Sequence, residues 1–270
     1  MRRISLSISL LSAAAWGVFA PSAIGEPYNV GEIESRIHEL INREREASGA
    51  GPLVTDDRLT ILARAHTDDM VRRDFYSHEN PDGLTAPDRL ARKHPELVVL
   101  TVAENINLLE PVEPGDMRGD ELAERMVRSW VRSAGHRRNL LAPEFTHTGI
   151  ALAVHNERAI VTQIFTALLV EAVSPKLSGH AGISAQLRFR YHGTQPRKRL
   201  TAFVEFPDRN VRYFISDRVY YTGSAPVVPR WKSDQEFSVL VPCELGRGVY
   251  TLSFGFGREL SGEGIAVECR

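Results

Sequence analysis

From residue 28 to about residue 172 the apolar positions recur mostly with a helical period. Ile33, Ile37, Leu40 and Ile41 form the stripe of an amphipathic helix, which Gly49, Gly51 and Pro52 end. Thr55-Asp56 predicts the cap of a second helix, with Leu59, Leu62, Ala63, His66 and Met70 on its inner face. Leu84-Thr85-Ala86-Pro87 opens a short third helix that turns Leu90 inward. Leu122, Met126, Val127, Trp130 and Val131 mark a fourth, started near Asp116 or Asp120. Two strands follow, Thr148–Val154 and Ala159–Phe165, joined by a hairpin at Asn156-Glu157-Arg158.

Beyond residue 183 the period changes to two. Leu187, Phe189 and Tyr191 share a face, as do Phe237, Val239, Val241 and Cys243, and again Ile265, Val267 and Cys269. Predicted strands are Ser184–Tyr191, Arg199–Phe206, Val211–Ser216, Arg218–Thr222, Glu236–Cys243, Val249–Phe256 and Gly264–Cys269. The change of period predicts an α+β chain in two domains. Residues 26–172 place helices on an antiparallel sheet, 173–182 form a Ser-, Pro- and Gly-containing linker, and 183–270 form a small all-β sandwich.

Composition fits this plan. The 270 residues are 43% apolar and 25% charged, as in a globular protein. The net charge of −1 favours neither nucleic acid nor a membrane as partner, and no nucleic-acid role is expected. Charge is unevenly divided: residues 26–174 carry 17 basic and 25 acidic side chains, residues 175–270 carry 14 and 9. The basic turn Pro196-Arg197-Lys198-Arg199 is either a solvated hairpin tip or a contact for an anionic polymer or for the acidic first half.

Met1-Arg2-Arg3, the apolar run Ile4–Ala20 and the small residues Ala23 and Gly25 read as a signal peptide over residues 1–25, cut before Glu26. A membrane anchor is the competing reading, but the run is short for a span. With no later apolar segment of spanning length, the mature chain is expected to be secreted or periplasmic. Its only cysteines, Cys243 and Cys269, are in phase with buried positions. One disulfide is expected in an oxidising compartment, the alternative being two buried thiols.

Chemistry concentrates in three segments. They are Tyr76-Ser77-His78-Glu79-Asn80-Pro81-Asp82-Gly83, then Ala103-Glu104-Asn105-Ile106, then Trp130 through Gly135-His136-Arg137. Each sets a His or Glu near turn residues, so two imidazoles and a carboxylate are expected at one cleft. Such a group binds a metal, moves a proton or grips a polar ligand. Neutral imidazoles are good Zn²⁺ ligands. His78, His136 and Glu104 are therefore the candidate ligands for zinc, with Glu104 alternatively orienting an imidazole from behind. Glu104 and His136 are also the candidate catalytic pair of a metal-assisted hydrolase. Ser77 and Ser133 each lie near a cleft His in sequence, which does not make a triad. His66 reads as a core residue and His147 as a minor cleft candidate, and Tyr76 and Trp130 are expected to pack beneath the cleft.

In their order these segments resemble the CAP superfamily (cysteine-rich secretory, antigen 5 and pathogenesis-related proteins; the SCP domain), in its bacterial branch. Ile41-Asn42-Arg43-Glu44-Arg45 with Gly51-Pro52-Leu53, Leu59 to Met70, Phe75 to Gly83, Ala103 to Ile106, Trp130 to Leu141, Phe145-Thr146 and Gly149-Ile150 carry the resemblance. It implies an α-β-α sandwich and says nothing of residues beyond about 172. It also implies a cleft of two His and two Glu. His78, Glu104 and His136 match three of these, while Ser133 stands where the second Glu is expected. A neutral hydroxyl is a poor replacement for a carboxylate, so any zinc is expected to be held weakly and lost on protonation of the imidazoles. The expected function is binding of a small ligand, with the β domain holding a partner or envelope component. Hydrolysis of peptide or envelope material, and a structural or adhesive role, remain as alternatives.

Overall fold

The computed structural model describes residues 29–110, 112, 119–174, 176–257, 259–262 and 264–270. The expected signal peptide and its cut before Glu26 lie outside these residues, as does Asp116. In the first half the elements are α1 (Val30–Ala47), β1 (Val54–Thr55), α2 (Asp57–Arg72), α3 (Ala86–Lys93), β2 (Leu97–Leu109), α4 (Gly119–Arg132), α5 (Ala134–Leu141), β3 (His147–His155) and β4 (Arg158–Ala172). The second half contains β5 (Ser178–Gly179), β6 (Ala185–Tyr191), β7 (Leu200–Glu205), β8 (Arg212–Ser216), β9 (Val219–Thr222), β10 (Ser224–Val227), β11 (Arg230–Trp231), β12 (Glu236–Val241), β13 (Gly248–Phe256), β14 (Glu259–Leu260) and β15 (Ile265–Cys269).

Local signals set the helix starts. Asn29 caps α1 by accepting from Glu32 N, and Asp56 caps α2 by accepting from Arg58 N. The Asp88 carboxylate accepts from Thr85 N at 2.9 Å and so closes the start of α3. The β3–β4 hairpin turns on two residues, Asn156 and Glu157, rather than the expected three. Both have positive φ, as the tight turn that matches strand twist requires.

The helices sandwich the sheet. Ile33, Ile37 and Ile41 of α1 meet Leu122, Met126 and Trp130 of α4 on one face of β3 and β4. Leu59, Leu62 and Ala63 of α2 meet Leu90, Ala151 and Ile164 on the other. At Gly149 the α2 backbone comes so near β3 that an added Cβ would lie 2.1 Å from Leu59 C and Thr60 N. Arg45 is fully buried. Its guanidinium donates to the carbonyls of Gly51 (2.6 Å), Leu140 (2.7 Å), Ala142 (3.0 Å) and Phe145 (3.0 Å), tying α1 to the end of α5.

The sequence pattern predicted no strand over residues 97–109, yet β2 is one of the longest. It pairs with β4 from Leu97↔Glu171 to Leu109↔Ala159. Its polar residues Glu104, Asn105 and Asn107 are buried along with Val98 and Ile106, so polar/apolar alternation is erased. β10 was also unpredicted; it holds Pro226 and runs along the edge of its sheet.

Of the two edges of β4, one carries β2. The other carries β3 as far as Thr166 and then β6 over Val170–Ala172. The sheet therefore runs β1-β3-β4-β6-β12-β11 from the first half into the second. Within the stretch expected as a linker, Val173 N donates to Arg188 O and β5 pairs with β15. At this junction Arg58 on α2 meets Glu171 at 3.0 Å, and His192 meets the other oxygen of Glu171 at 3.0 Å.

A second sheet, β10-β7-β13-β15-β5, packs on the inner face of β6 and β12. Phe189, Phe237, Val239, Leu252, Phe254 and Val267 fill the space between them. Cys243 and Cys269 form the expected disulfide, with Cα atoms 5.6 Å apart. β8 and β9 form a separate ribbon whose Phe214, Ile215, Val219 and Tyr220 are exposed.

Candidate ligand-binding cleft

β2 organises the cleft because it is the sheet edge there, and its outward backbone groups need partners. Side chains supply them. Trp130 Nε1 donates to Ile106 O at 3.2 Å, and Asn139 Nδ2 donates to Glu104 O at 3.4 Å. Trp130 is thus fully buried beneath the cleft, as expected, and its polar atom closes a strand edge. Asn105 faces α5, where its amide donates to His136 O at 3.1 Å and its oxygen accepts from Asn139 at 2.9 Å. These bonds fix the helix that carries His136.

Glu104 points to the α2–α3 side and is nearly buried, its side chain 3% exposed. Oε2 is paired with the Arg89 guanidinium, and Oε1 is 2.9 Å from His78 Nδ1 and 3.8 Å from His66 Nε2. Arg89 also donates to His78 O at 3.0 Å and Leu84 O at 2.8 Å, so one buried guanidinium holds both the carboxylate and the loop bearing His78. Within that loop Asn80 Oδ1 accepts from Asp82 N and Leu84 N, and Gly83 takes a positive φ.

The contact with Glu104 orients the His78 ring. With Nδ1–H donated to the carboxylate, Nε2 is left bare on a side chain that is 55% exposed. On α5, His136 has a buried Nδ1 with no hydrogen-bond partner among the described residues. Burial pushes the His136 pKa down, and the nearby His78 imidazole acts in the same direction. Both causes favour the neutral imidazole, the form that accepts a proton or a metal.

Ser133 occupies the N-cap position of α5, but its hydroxyl makes no hydrogen bond to a described residue. Ser77 Oγ accepts from Glu79 N at 3.3 Å and meets no imidazole. His147 accepts its contacts elsewhere, from Thr146 and edge-on from the His192 ring, so it is not part of this group. His66 is buried as expected, and it also reaches Ser77 O at 3.0 Å beside Glu104. Burial pushes its pKa down, opposed by the Glu104 carboxylate.

Sequence reasoning missed Arg89 and Asn139. Arg89 stands one residue before an apolar position of a short helix, where a solvated arginine gives the same pattern. The only available signal for Asn139 was its place four residues after Gly135 in the closing segment.

Two imidazoles can serve as metal donors here. Both Glu104 oxygens are already engaged, so the carboxylate acts from behind His78 and not as a ligand. Among the described residues no group of three or more His, Cys, Asp or Glu is placed to hold a metal ion.

Residues 38–165 match the CAP family, described as the cysteine-rich secretory protein family. The first half of the chain thus carries a CAP-type domain. Its CAP domain is 33% identical over 124 residues to the protein YkwD of Bacillus subtilis (strain 168), covering 46% of this chain and 44% of YkwD. The chain thus spans under half the length of that relative. Among solved structures, an extracellular protein containing an SCP domain from Bacillus anthracis str. Ames is 28% identical with a TM-score of 0.40, over 50% of this chain and 40% of that one. A cysteine-rich secretory protein from Staphylococcus aureus is 19% identical with a TM-score of 0.39, over 52% of this chain and 39% of that one. Among the described residues no helix is long and apolar enough to cross a membrane.

Proposed function

We propose that this CAP protein is exported and works by binding. The cleft between His78 and His136 takes a small polar ligand and, weakly, a divalent metal such as Zn²⁺, while the β half holds a partner or envelope component. One observation carries this reading: Glu104 is fully committed to Arg89 and His78. A carboxylate paired with a buried guanidinium is poorly suited to take a proton from water, which weighs against hydrolysis. What remains free to meet a ligand is the outer side of two imidazoles. When zinc binds, His78 and His136 hold it, and the metal supplies a positive charge that attracts an anionic ligand group. The disulfide supports an oxidising compartment.

The test is zinc affinity of the untagged full chain by isothermal titration, with His78→Ala and His136→Ala. Each variant is expected to weaken binding at least about tenfold, and acidification to weaken it too, because a protonated imidazole is not a metal ligand. Unchanged zinc content and affinity in both variants ends the metal reading. Turnover of a peptide and muropeptide panel that disappears in His136→Ala replaces the binding reading with hydrolysis.

A further inference from the structure

The outer face of β6, β12 and β11 carries a second site, built only by strand register. Ser238 on β12 pairs with Arg188 on β6 and with Arg230 on β11. Residues directly opposite on neighbouring strands point to the same face. Their chain neighbours Leu187, Phe189, Phe237 and Val239 are buried in the core, so Arg188, Ser238 and Arg230 face outward. Adjacent strands lie about 4.8 Å apart, which places the two arginines roughly 10 Å apart at Cα, within reach of each other over the serine.

Every group in this row is a donor seeking an acceptor. Arg188 and Arg230 are exposed, and neither side chain pairs with a described residue. Gln186 Nε2 donates to Ser238 Oγ at 3.1 Å, which leaves the hydroxyl proton free to donate outward. Lys232 extends the positive row. The one carboxylate on the wall, Glu236, lies 3.6 Å from Lys232. These residues line one cavity of about 430 Å³. The basic turn that the sequence marked is different: Arg197 is tied to Asp234 at 3.0 Å and to Ser233 O at 2.8 Å, and lies over the Trp231 ring.

We propose that this face binds a phosphate group of an extended phosphate-bearing polymer, gripped between Arg188 and Arg230 with the Ser238 hydroxyl as third donor. Two guanidinium forks from opposite sides and a hydroxyl from below supply donors in three directions. That suits a tetrahedral oxyanion better than a planar carboxylate. The cavity is larger than one phosphate, and Lys232 continues the positive row, which fits a chain of such groups. The proposal names the partner of the β half and so rests on the reading that this half serves binding. It uses neither His78 nor His136, so zinc titration of the same protein separates its failure from that of the cleft.

The experiment is anisotropy of labelled long-chain inorganic polyphosphate with the full chain, across a salt series. Binding is expected to weaken as salt rises. Arg188→Ala and Arg230→Ala are each expected to lose about tenfold in affinity, and Ser238→Ala about threefold. Arg218→Ala, an exposed arginine on the β8–β9 ribbon, is expected to change it less than about twofold. Unchanged melting temperatures show the variants folded. Wild-type affinity in the Arg188→Ala/Arg230→Ala double variant overturns the proposal. So does equal loss in Arg218→Ala, or equal binding of polygalacturonate, either of which shows general charge attraction.

Discussion

The cleft wall and the outer face of β6, β12 and β11 both hold guanidinium groups, and they treat them in opposite ways. Arg89 in the wall is buried, and its Nη1 and Nη2 donors are spent on the carbonyls of His78 and Leu84 and on Glu104. Arg188 and Arg230 are exposed and have no described partner. A buried charge is tolerated when it is paired and hydrogen-bonded, so Arg89 acts as internal fastening. An exposed charge costs little to leave unpaired, so Arg188 and Arg230 remain available to a ligand. Likeness of residue type thus says little about role; burial and pairing separate fastening from reception.

Removing one partner of the buried pair should have the largest effect. Arg89→Met leaves the Glu104 carboxylate in the wall and is expected to cost about 3–5 kcal/mol in urea unfolding. Arg188→Ala is expected to cost under about 0.5 kcal/mol. Equal costs for the two break the comparison. Adding Glu104→Gln to Arg89→Met should recover part of the loss, since the uncompensated charge is then gone.

Next is the disulfide. Replacing both Cys243 and Cys269 with Ser is expected to cost about 2–4 kcal/mol. The loss should fall on the β half, read by hydrogen exchange at β13 and β15, with the helices of the first half protected longer. Somewhat smaller is Gly149→Ala, which drives a Cβ into the α2 backbone and should cost up to about 3 kcal/mol. Its exchange signature should appear in α2 and β3. Uniform loss of protection in either variant would show that the shared sheet makes the two halves one cooperative unit.

The smallest effect is pH dependence. Burial is the first cause of a lowered pKa in His66, His136 and His147, all in the first half. Once pH falls below the ordinary value of 6.5, the unfolded chain binds more protons than the folded one. Stability is therefore complete above that pH and declines on acidification through the folded pKa values. Urea midpoints at about pH 7.5 and pH 5 check the sign. A midpoint that rises on acidification contradicts it.

Much of the fold was legible. The stripes of α1, α2 and α4 and the alternation of β6, β12 and β15 each bury one face, and a single buried face leaves a readable period. β2 was not legible, because Glu104, Asn105 and Asn107 are buried for their hydrogen bonds and look like loop residues in a linear pattern. In the cleft, His78, Glu104 and His136 were named from their segments, but Arg89 and Asn139 were not. Their roles depend on backbone carbonyls of other elements, which no side-chain pattern records.

By itself the sequence determined the main helices, the change of period between the two halves, the resemblance to the CAP superfamily and the principal residues of the cleft. These follow from local spacing and from motifs that lie within a few residues of one another. Only the tertiary structure decided that Glu104 is locked by Arg89, that β4 carries one sheet into both halves, and that Arg188 and Arg230 share a face with Ser238. Each of these joins residues from separate elements. Strand register and burial, which long-range packing sets, are what bring them together.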